Sequence, residues 1–562
     1  MTNELYELIE KWEKNATDDK DLIEEYSNIK NDDKKLEDAF FKNLTFGTGG
    51  LRGILGFGPN RMNIYNIRKA TQGLANYLIK NHTSSNEIKV AIGYDSRIKS
   101  DVFAKETAMV LAKNGINVKL FKVLLPVPVL SYATRELNCQ AGVMITASHN
   151  PSKYNGYKVY NENGCQITDN AAKEIYEEIN QIDPFDVKTD NFDTYFNKGL
   201  ITYIDDNLLT SFINRVKKES VLGTQVINRD VKIVYSPLHG TGLIPVTRIL
   251  KESGFNNVIV VEEQRLPDGN FTTCPFPNPE VREAMELGIK YAKENDADLV
   301  LATDPDCDRV GIAVKNENDY VLLSGNQTGV LLLNYVCELR TLNKTMPDNP
   351  KIAKTIVTTD MADKIAEHYG CKVKSLLTGF KYIGEYIDEL EKNNDDKSYI
   401  FGFEESYGYL TGTYVRDKDA VDGALMISEM FAYYKTKGIS LLDKLNSLYE
   451  QYGYYLNTLD NYAFEGAVGF SKMQNLMAKF RCHFNDISGI EIEKTNDYLN
   501  GIDDLPKSDV LKFFLKGGST ITLRPSGTEP KLKLYCSIKA NDENRATKTY
   551  KIIYDFFKKE LA

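Results

Sequence analysis

Short apolar segments alternate with helical segments along most of this chain. In the first part of the pattern, Lys89–Tyr94 and Asn117–Leu120 are strand-like, and residues 103–113 between them are helical. Buried strands that alternate with helices are typical of βαβ units, in which helices cover a largely parallel sheet. The alternation therefore predicts α/β domains.

The same alternation restarts twice further along the chain. Strand-like segments lie at residues 231–235, 257–261, 298–302, 352–357 and 399–401, with helical segments at 244–252, 281–295 and 325–339. No repeat is visible residue by residue, but three α/β units of similar length follow one another. After about residue 450, alternating polar and apolar residues at 531–538 indicate a half-exposed antiparallel strand. This last portion is predicted to be a smaller α+β domain.

The chain has 562 residues, which is too long for a single hydrophobic core, so several domains are expected. The N-terminal segment has apolar residues at helical spacing, among them Ile9 and Trp12, and is predicted to be a helical lid or brace. The predicted division is 1–45 for this extension, 46–205, 206–322 and 323–448 for three α/β domains, and 449–562 for the α+β domain.

The composition argues against several classes of function. The formal net charge of −10 disfavours nucleic-acid binding, which needs a basic surface. The apolar runs are shorter than the ~18 residues that indicate a membrane span, and the acidic N-terminus lacks the pattern of a secretory signal. Eight cysteines are scattered without a Cys-x-x-Cys pair, which indicates reduced thiols and no zinc site. We therefore expect a cytoplasmic protein.

Asp304, Asp306 and Asp308 form the most specific chemical pattern in the chain. These carboxylates follow an apolar strand at alternate positions, and their mutual repulsion is unfavourable unless a cation binds nearby. Hard oxygen ligands in this number suit Mg²⁺. A calcium loop is excluded because its characteristic glycine and glutamate are absent, whereas a plain acidic turn remains an alternative. Arg309, next in the sequence, is a candidate for neutralising a phosphate group.

Ser148 and His149 lie in the loop that follows the strand-like run at residues 141–145. Loops after the strands of α/β folds commonly hold ligands. A serine hydroxyl in such a loop is a candidate nucleophile, although serines also cap helices and a histidine is as often structural as functional. The pair is therefore only a candidate when it is considered alone.

The loop from Arg524 to Pro530 joins two strands and suits an anion. Arg524 offers a guanidinium, and Ser526 and Thr528 offer hydroxyl groups. The backbone N–H groups beside Gly527 add further donors. The spacing is not that of a Walker loop, and a simple hairpin turn remains the alternative because Pro-Ser-Gly is ordinary turn chemistry.

Other loops carry groups that suit a sugar phosphate. Glu404 and Ser406 follow a strand and are suited to hydrogen bonds with sugar hydroxyls, with a solvated acidic turn as the alternative. Residues 378–381 and 416–419 add cations that suit a phosphate group or a proton transfer. Residues 47–53 are glycine-rich but are not a dinucleotide fingerprint, because an arginine occupies the place of the third glycine.

In combination, these motifs match a known family. The chain resembles the α-D-phosphohexomutases, and within them the longer phosphoglucomutase/phosphomannomutase branch that begins Gly-Thr-Gly-Gly-Leu-Arg-Gly, here residues 47–53. The resemblance extends from about residue 40 to the end of the chain, with the four main motifs in family order. It implies an α/β fold with four domains around a central cleft: three related α/β mixed-sheet domains plus a smaller C-terminal α+β domain.

The resemblance implies a phosphoryl carrier and a metal site. Ser148, with His149 beside it, resembles the serine that carries the phosphoryl group. Asp304, Asp306 and Asp308 resemble the Mg²⁺ ligands. A phosphoryl oxygen on Ser148 is then the fourth metal ligand that comes from the protein.

Further residues match the catalytic and substrate-binding groups of the family. Lys158 matches a lysine proposed as general acid/base, a role that requires a lowered pKa, which basic surroundings would supply. Glu404 and Ser406 match the pair that binds sugar hydroxyls. The other matches are Arg52, Arg309, Lys381 and Lys418 as active-site cations, Thr378 and Gly379 beside Lys381, Arg524, Ser526, Gly527 and Thr528 as a clamp for the distal phosphate, and His239 as a weaker match.

The implied reaction is the interconversion of glucose 1-phosphate and glucose 6-phosphate. It proceeds through a phosphoserine enzyme and glucose 1,6-bisphosphate, which serves as intermediate and activator. Phosphomannomutase or phosphopentomutase activity by the same mechanism is the nearest alternative. A silent sugar-phosphate-binding protein and a metal-dependent phosphatase are disfavoured, because nucleophile, metal ligands and distal phosphate clamp occur together. The expected partner is a small-molecule sugar phosphate, and the protein is expected to be a monomer or a weak homodimer.

Overall fold

The strand-like segments form sheets in the computed structural model, which describes residues 2–47, 49–83, 87–464, 466–482, 484–526 and 531–561. Within these residues the strands make four sheets, and helices pack on all of them. The α/β fold predicted from the sequence, with three related domains and a C-terminal domain, is confirmed. No helix in the described part of the chain is long and apolar enough to cross a membrane.

The N-terminal extension is helical, as its periodicity predicts. Its helices are α1 (Asn3–Asn15), α2 (Lys20–Ile29) and α3 (Asp33–Phe40). Each begins at a polar residue, Thr2, Asp19 or Asp32, whose side chain accepts a hydrogen bond from a backbone N–H of the first turn. Trp12 of α1 is only 2% exposed. Its ring lies 5.2–6.1 Å from four aromatic rings, those of Phe40, Phe57, Tyr65 and Phe185. The extension thereby packs on the first α/β domain.

The first sheet is mixed and has the order β1-β5-β4-β2-β3-β6. Strands β4, β2, β3 and β6 run parallel, and β5 runs antiparallel to both β4 and β1. The strands are β1 (Leu51–Ile54), β2 (Lys89–Tyr94), β3 (Asn117–Leu120), β4 (Ala141–Ile145), β5 (Tyr154–Asn161) and β6 (Ile201–Tyr203). The helices are α4 (Ile64–Asn81), α5 (Ser100–Lys113), α6 (Val127–Glu136), α7 (Asp169–Asn180) and α8 (Phe192–Asn197), and α9 (Asn207–Lys217) follows at the start of the second domain.

The second sheet has the order β11-β10-β9-β7-β8, with β9, β7 and β8 parallel and β10 and β11 antiparallel. Its strands are β7 (Ile233–Ser236), β8 (Val258–Val260), β9 (Leu299–Thr303), β10 (Val310–Asn316) and β11 (Asp319–Leu323). Its helices are α10 (Leu243–Glu252), α11 (Glu262–Arg265) and α12 (Arg282–Asn295). The apolar residues of β9 are buried on both faces of the sheet, as in parallel strands covered by helices.

The third sheet has the order β13-β12-β14-β15, and only its last pair is antiparallel. Its strands are β12 (Lys351–Thr355), β13 (Lys372–Leu376), β14 (Tyr399–Glu404) and β15 (Gly408–Leu410). Its helices are α13 (Gly325–Leu342), α14 (Met361–His368), α15 (Phe380–Lys392), α16 (Ala420–Thr436) and α17 (Leu441–Tyr452). Ser324 and Gln327 start α13 with a capping box.

The fourth sheet is antiparallel, with the order β16-β21-β20-β19-β18-β17. Its strands are β16 (Tyr454–Ala463), β17 (Asp486–Ile487), β18 (Ile490–Asp497), β19 (Leu511–Leu515), β20 (Thr520–Pro525) and β21 (Lys531–Ala540), with helices α18 (Gly466–Arg481) and α19 (Glu543–Leu561). The expected domain boundary between residues 448 and 449 lies inside α17, and this sheet begins five residues later, at Tyr454.

The first three sheets share one arrangement of strands. Each contains a run of three parallel strands and one antiparallel neighbour: β5-β4-β2-β3, β10-β9-β7-β8 and β15-β14-β12-β13. In each sheet, the loop between the antiparallel strand and the parallel strand paired with it contains a non-glycine residue with positive φ. These residues are Ser148 (53°), Cys307 (52°) and Tyr407 (65°). The three domains therefore present one equivalent loop each.

Trp12→Ala is expected to destabilise the protein by about 3–5 kcal/mol, because it empties a buried aromatic site between the extension and the first domain. Urea unfolding followed by far-ultraviolet circular dichroism measures this change. Tyr6→Ala on the same helix is the control, since Tyr6 is 49% exposed. The control is expected to change stability by less than about 0.5 kcal/mol. Equal effects of the two substitutions would show that the extension does not contribute to the core of the first domain.

Candidate active site

The equivalent loops of the first three sheets meet at one place. Ser148, after β4, donates a hydrogen bond from Oγ to Asp304 Oδ2 in the loop after β9, at 3.0 Å. Lys418 Nζ lies 3.0 Å from Asp308 Oδ2 and 3.8 Å from Glu404 Oε1 at the end of β14. The structure thus brings the candidate nucleophile, the aspartates and the candidate sugar-binding glutamate together.

Ser148 has a constrained conformation. Its φ of 53° lies in the left-handed region, which is uncommon for a residue other than glycine. Its backbone N–H donates to Thr146 Oγ1 at 2.8 Å, and its Oγ lies 3.2 Å from His149 Nδ1. Burial lowers the pKa of His149 well below its ordinary value, and the charges of Arg309 and Arg52 lower it further. His149 is therefore a neutral imidazole beside the serine hydroxyl.

Asp304, Asp306 and Asp308 form a fully buried group of carboxylates. One ligand oxygen from each lies within 4.8 Å of the others. Burial and mutual repulsion raise the pKa of Asp304 well above its ordinary value, and the same causes raise the pKa of Asp308. Burial also acts to raise the pKa of Asp306, but the positive charge of Lys158 outweighs it, so this pKa is lowered.

The carboxylate oxygens fit a hard divalent cation. Among the described residues, Asp306 Oδ1 and Asp308 Oδ1 are buried and accept no hydrogen bond. Buried carboxylate oxygens without donors are costly, and a cation with oxygen ligands satisfies them. The donor set has the chemistry of a Mg²⁺ site.

Lys158 lies on β5 and points to the aspartates. Its Nζ donates to Asp306 Oδ2 at 2.9 Å and lies 3.7 Å from Asp308 Oδ2. Burial acts to lower the pKa of Lys158, but the two carboxylates outweigh it and the pKa is raised. The expectation of a lowered pKa from basic surroundings is therefore wrong, because the immediate neighbours of Lys158 are acidic. The side chain is a charged ammonium group that offsets the charge of the two carboxylates.

Arg309, Arg52 and Glu404 complete the inner part of the site. Arg309 Nη1 donates to Glu280 Oε1 at 2.6 Å, and its backbone N–H donates to Asp304 Oδ1 at 2.9 Å. Arg52, on β1, donates from Nη1 to Asn150 Oδ1 at 3.2 Å. Burial raises the pKa of Glu404, and the nearby charge of Lys418 opposes this.

A second group of candidate residues lies between the third and fourth sheets. Burial lowers the pKa of Lys381, whose Nζ lies 4.0 Å from Asp169 Oδ1, and the charge of Arg524 lowers it further. Gly379, which follows Thr378, has a φ of 110° and immediately precedes α15. Among the described residues, no hydrogen bond or ion pair joins these side chains to Ser148 or to the aspartates.

The anion-binding loop is described only in part. Arg524 lies at the end of β20, and the backbone N–H of Ser526 donates to Lys531 O at 2.7 Å. Gly527 and Thr528 lie outside the described residues.

His239 has a structural contact at each ring nitrogen. Nδ1 lies 3.0 Å from Leu266 O, and Nε2 lies 2.8 Å from Thr273 Oγ1. The next residue, Gly240, allows this loop to approach the aspartate loop closely, because a Cβ there would lie 2.4 Å from Pro305 Cα. The weaker match of His239 to the family's active site therefore corresponds to a residue that holds one loop against another.

The sequence reasoning missed several residues that support the site. Asp95 and Arg97 follow β2 directly and hold the Ser148 loop, together with Thr146. A charged pair immediately after a buried strand was a usable signal for these residues. Glu280 precedes α12 and reaches Arg309 from another loop, so no local pattern indicates its contact.

Comparison with known proteins assigns the chain to one family. Four models described as phosphoglucomutase/phosphomannomutase, alpha/beta/alpha domains I, II and III and C-terminal domain, match residues 43–185, 210–317, 324–452 and 475–548. The chain belongs to the phosphoglucomutase/phosphomannomutase family.

Two relatives of the chain within this family are phosphoglucomutases. The chain is 37% identical to a phosphoglucomutase of Staphylococcus saprophyticus over 91% of this chain and 93% of the relative. It is 36% identical to a phosphoglucomutase of Staphylococcus aureus over 95% of this chain and 96% of the relative.

Solved structures share the fold. Parafusin from Paramecium, an exocytosis-sensitive phosphoprotein and phosphoglucomutase solved in an open form, aligns with a TM-score of 0.70 at 17% identity. The alignment covers 92% of this chain and 95% of parafusin. A phosphoglucomutase/phosphomannomutase family protein from Burkholderia thailandensis aligns with a TM-score of 0.68 at 18% identity, over 92% of this chain and 96% of that one.

A divalent metal is expected to raise the unfolding midpoint of the wild-type protein, because it binds the buried carboxylates of the folded state only. Ligand at about 100 times its Kd adds ~2.7 kcal/mol to stability. Asp308→Asn removes one of the carboxylates and is expected to lose most of this gain. Thermal unfolding with Mg²⁺ and with a chelator measures it.

Asp319→Asn is the control for this experiment, because Asp319 lies on the same sheet with its side chain 64% exposed. Its Mg²⁺-dependent gain is expected to equal that of the wild type. An unchanged gain in Asp308→Asn would place the metal elsewhere.

Proposed function

We propose that the protein is a phosphoglucomutase, which interconverts glucose 1-phosphate and glucose 6-phosphate. The observation that supports this most directly is the position of Ser148 Oγ, 3.0 Å from a carboxylate of the buried aspartate group. The identity of 35–37% to phosphoglucomutases over nearly the whole chain supports glucose as the sugar. Phosphoryl transfer demands little of a protein beyond positioning and charge stabilisation, which a buried site of this kind supplies.

Asp304, Asp306 and Asp308 would hold Mg²⁺, with a phosphoryl oxygen on Ser148 as a further ligand. When bound, Mg²⁺ supplies positive charge that stabilises the transferring phosphoryl group. The unpaired oxygens of Asp306 and Asp308 support this assignment. Burial and the neighbouring aspartates raise the pKa of Asp304, which a bound cation would counteract.

Ser148 carries the phosphoryl group in this proposal. The phosphoryl group passes from Ser148 Oγ to the free hydroxyl of the hexose phosphate, which loses its proton, and Ser148 Oγ gains one. The product of this step is glucose 1,6-bisphosphate. The bisphosphate then reorients in the site, and its other phosphoryl group is transferred to Ser148 Oγ. The same compound, supplied as an activator, would phosphorylate a free Ser148.

Lys158 and His149 support the charge and proton movements of these steps. Lys158 is a positively charged hydrogen-bond donor next to the aspartates, so it neutralises charge on the phosphoryl group. His149 is neutral and in contact with Ser148 Oγ, so it is placed to exchange the serine proton. Arg52 and Arg309 add positive charge near His149 and Ser148.

The sugar and its second phosphate bind on the third and fourth domains. Glu404 and Ser406 hydrogen-bond sugar hydroxyls, with Lys418 beside Glu404. Lys381 and Arg524, which are near enough for the charge of Arg524 to lower the pKa of Lys381, hold the distal phosphate. The rest of the proposed clamp is Thr378, Gly379 and Ser526, with Gly527 and Thr528, which lie outside the described residues.

Each of the four domains contributes a different part of the proposed site. The first domain, about residues 46–205, carries the phosphoserine, and the second, about 206–322, carries the metal ligands. The third domain contributes the sugar-binding loop and ends with α17, and the fourth contributes the phosphate clamp.

Glucose 1-phosphate is expected to be the preferred substrate. Purified protein with Mg²⁺ and a trace of glucose 1,6-bisphosphate is assayed with glucose 1-phosphate, mannose 1-phosphate and ribose 1-phosphate. We expect kcat/KM for glucose 1-phosphate to exceed the others by about tenfold or more, which corresponds to ~1.4 kcal/mol of selective transition-state binding. A preference for mannose 1-phosphate or ribose 1-phosphate would change the substrate, and no turnover of any of them would refute the proposed mutase.

Ser148→Ala is expected to abolish turnover and to keep glucose 1-phosphate binding, because the sugar and its phosphate bind through other loops. Turnover and isothermal titration calorimetry measure the two effects. Ser152→Ala, in the same loop after the proposed nucleophile, is the control and is expected to keep activity. Ordinary turnover by Ser148→Ala would remove the serine from the mechanism.

A further inference from the structure

Arg97 binds the backbone of the loop that contains Ser148. Its Nη1 donates to Pro151 O at 3.0 Å and to Tyr154 O at 3.1 Å. Its Nη2 donates to the carbonyl oxygens of Ser148 and Asn150. One guanidinium group therefore satisfies four carbonyl oxygens within seven residues, and its own side chain is 0% exposed.

We propose that Arg97 is a positioning residue, which holds the Ser148 loop in its reactive conformation through both phosphoryl transfers. This inference rests on the proposed mutase function. Arg97 contacts backbone carbonyls of the loop and the Asp95 carboxylate, so it acts through the geometry of the loop.

The guanidinium is itself held in place by a carboxylate and by an aromatic ring. Asp95 Oδ2 lies 3.3 Å from Arg97 Nε, and Asp95 Oδ1 accepts hydrogen bonds from the Arg97 backbone N–H and from Ser100 Oγ. The ring of Phe271, from the second domain, lies 5.0 Å from the guanidinium carbon. A planar guanidinium fixed on one edge by a carboxylate and on one face by a ring has little freedom to move.

The backbone C=O and N–H groups of Ser148 are connected by hydrogen bonds to Arg97 and Asp95. Its carbonyl accepts from Arg97, and its N–H donates to Thr146 Oγ1, which in turn donates to Asp95 Oδ2 at 2.6 Å. Thr146 Oγ1 also lies 3.2 Å from Asp306 Oδ2. The support of the serine is thus tied to the aspartate group that faces it.

A support of this kind matters because Ser148 changes charge during the proposed cycle. A phosphoserine carries about −1.5 to −2 charges that a free serine lacks. The left-handed conformation of Ser148 is also costly, of the order of 1–3 kcal/mol, and persists only when its surroundings hold it. A misplacement of about 1 Å is enough to slow a positioned reaction by about 100-fold.

Lysine cannot replace arginine in this arrangement. A lysine ammonium keeps the charge but has three donors on a flexible stem, whereas the guanidinium presents a rigid fork that spans carbonyls on both sides. Arg97→Lys therefore separates the geometry of the support from its charge, and Arg97→Met removes both.

Two measurements on the full-length variants test the inference. In the mutase assay, Arg97→Lys and Arg97→Met are both expected to lower kcat by about 100-fold, with KM for glucose 1-phosphate within about threefold of the wild type. By hydrogen–deuterium exchange, the amides of residues 147–154 are expected to exchange at least about tenfold faster, with other core amides unchanged. Arg248→Lys is the control, because Arg248 is a partly exposed arginine of the second domain paired with Glu252, and it is expected to match the wild type in both measurements.

Each other outcome has a definite meaning. Wild-type kcat in Arg97→Lys would show that charge alone suffices and would overturn the positioning role, as would a raised KM with unchanged kcat. Unchanged exchange in the loop would overturn it independently of activity. If the wild type turns over no hexose phosphate, the proposed function fails, and the exchange measurement still decides the role of Arg97.

A second pair of variants covers a failure of the Arg97 variants to fold. Thr146→Val removes the hydroxyl that links Ser148 N–H to Asp95, and Thr146→Ser keeps it. We expect kcat to fall by at least about tenfold in the valine variant and to be largely retained in the serine variant. Equal activity of the two would overturn the inference.

Discussion

The excess of buried negative charge at the junction of three domains governs the arrangement of this protein. Asp304, Asp306 and Asp308 are enclosed by protein, and carboxylates so placed are unfavourable unless cations approach them. Lys158 from the first domain and Lys418 from the third supply two positive charges, at 2.9 and 3.0 Å. The remaining negative charge suits a divalent cation, so the ion pairs that join the three domains also assemble the candidate metal site.

A repeated backbone path brings these groups together. In each of the first three sheets the functional loop lies between the antiparallel strand and the parallel strand paired with it, and Ser148, Cys307 and Tyr407 occupy its left-handed position. Their side chains differ, and only that of Ser148 reacts in the proposed mechanism. The repeat is therefore a repeat of topology, and it is invisible when the three segments are compared residue by residue.

The same geometry explains which features of the structure can be predicted from the sequence and which cannot. Strands β2 and β3 were predicted with their observed bounds, because their apolar composition is a local property. The antiparallel neighbour β5 was not predicted, since its residues Tyr154–Asn161 mix polar and apolar types although its interior is buried. The pKa of Lys158 was expected to be lowered and is raised, because its decisive neighbours come from another domain. Electrostatic environments assembled from distant segments leave no local pattern in the sequence.

The N-terminal extension is connected to the loop of Ser148 through Lys99. Lys99, two residues after Arg97 and itself at a positive φ of 63°, donates to both carboxylate oxygens of Asp19, at 2.6 and 2.9 Å. Asp19 is also the cap of α2, so the extension is anchored to the segment that carries the support of Ser148. Trp12 fixes the other side of the extension in the aromatic core of the first domain. The extension therefore stabilises the turn after β2, and through Arg97 that turn holds the loop of the proposed nucleophile.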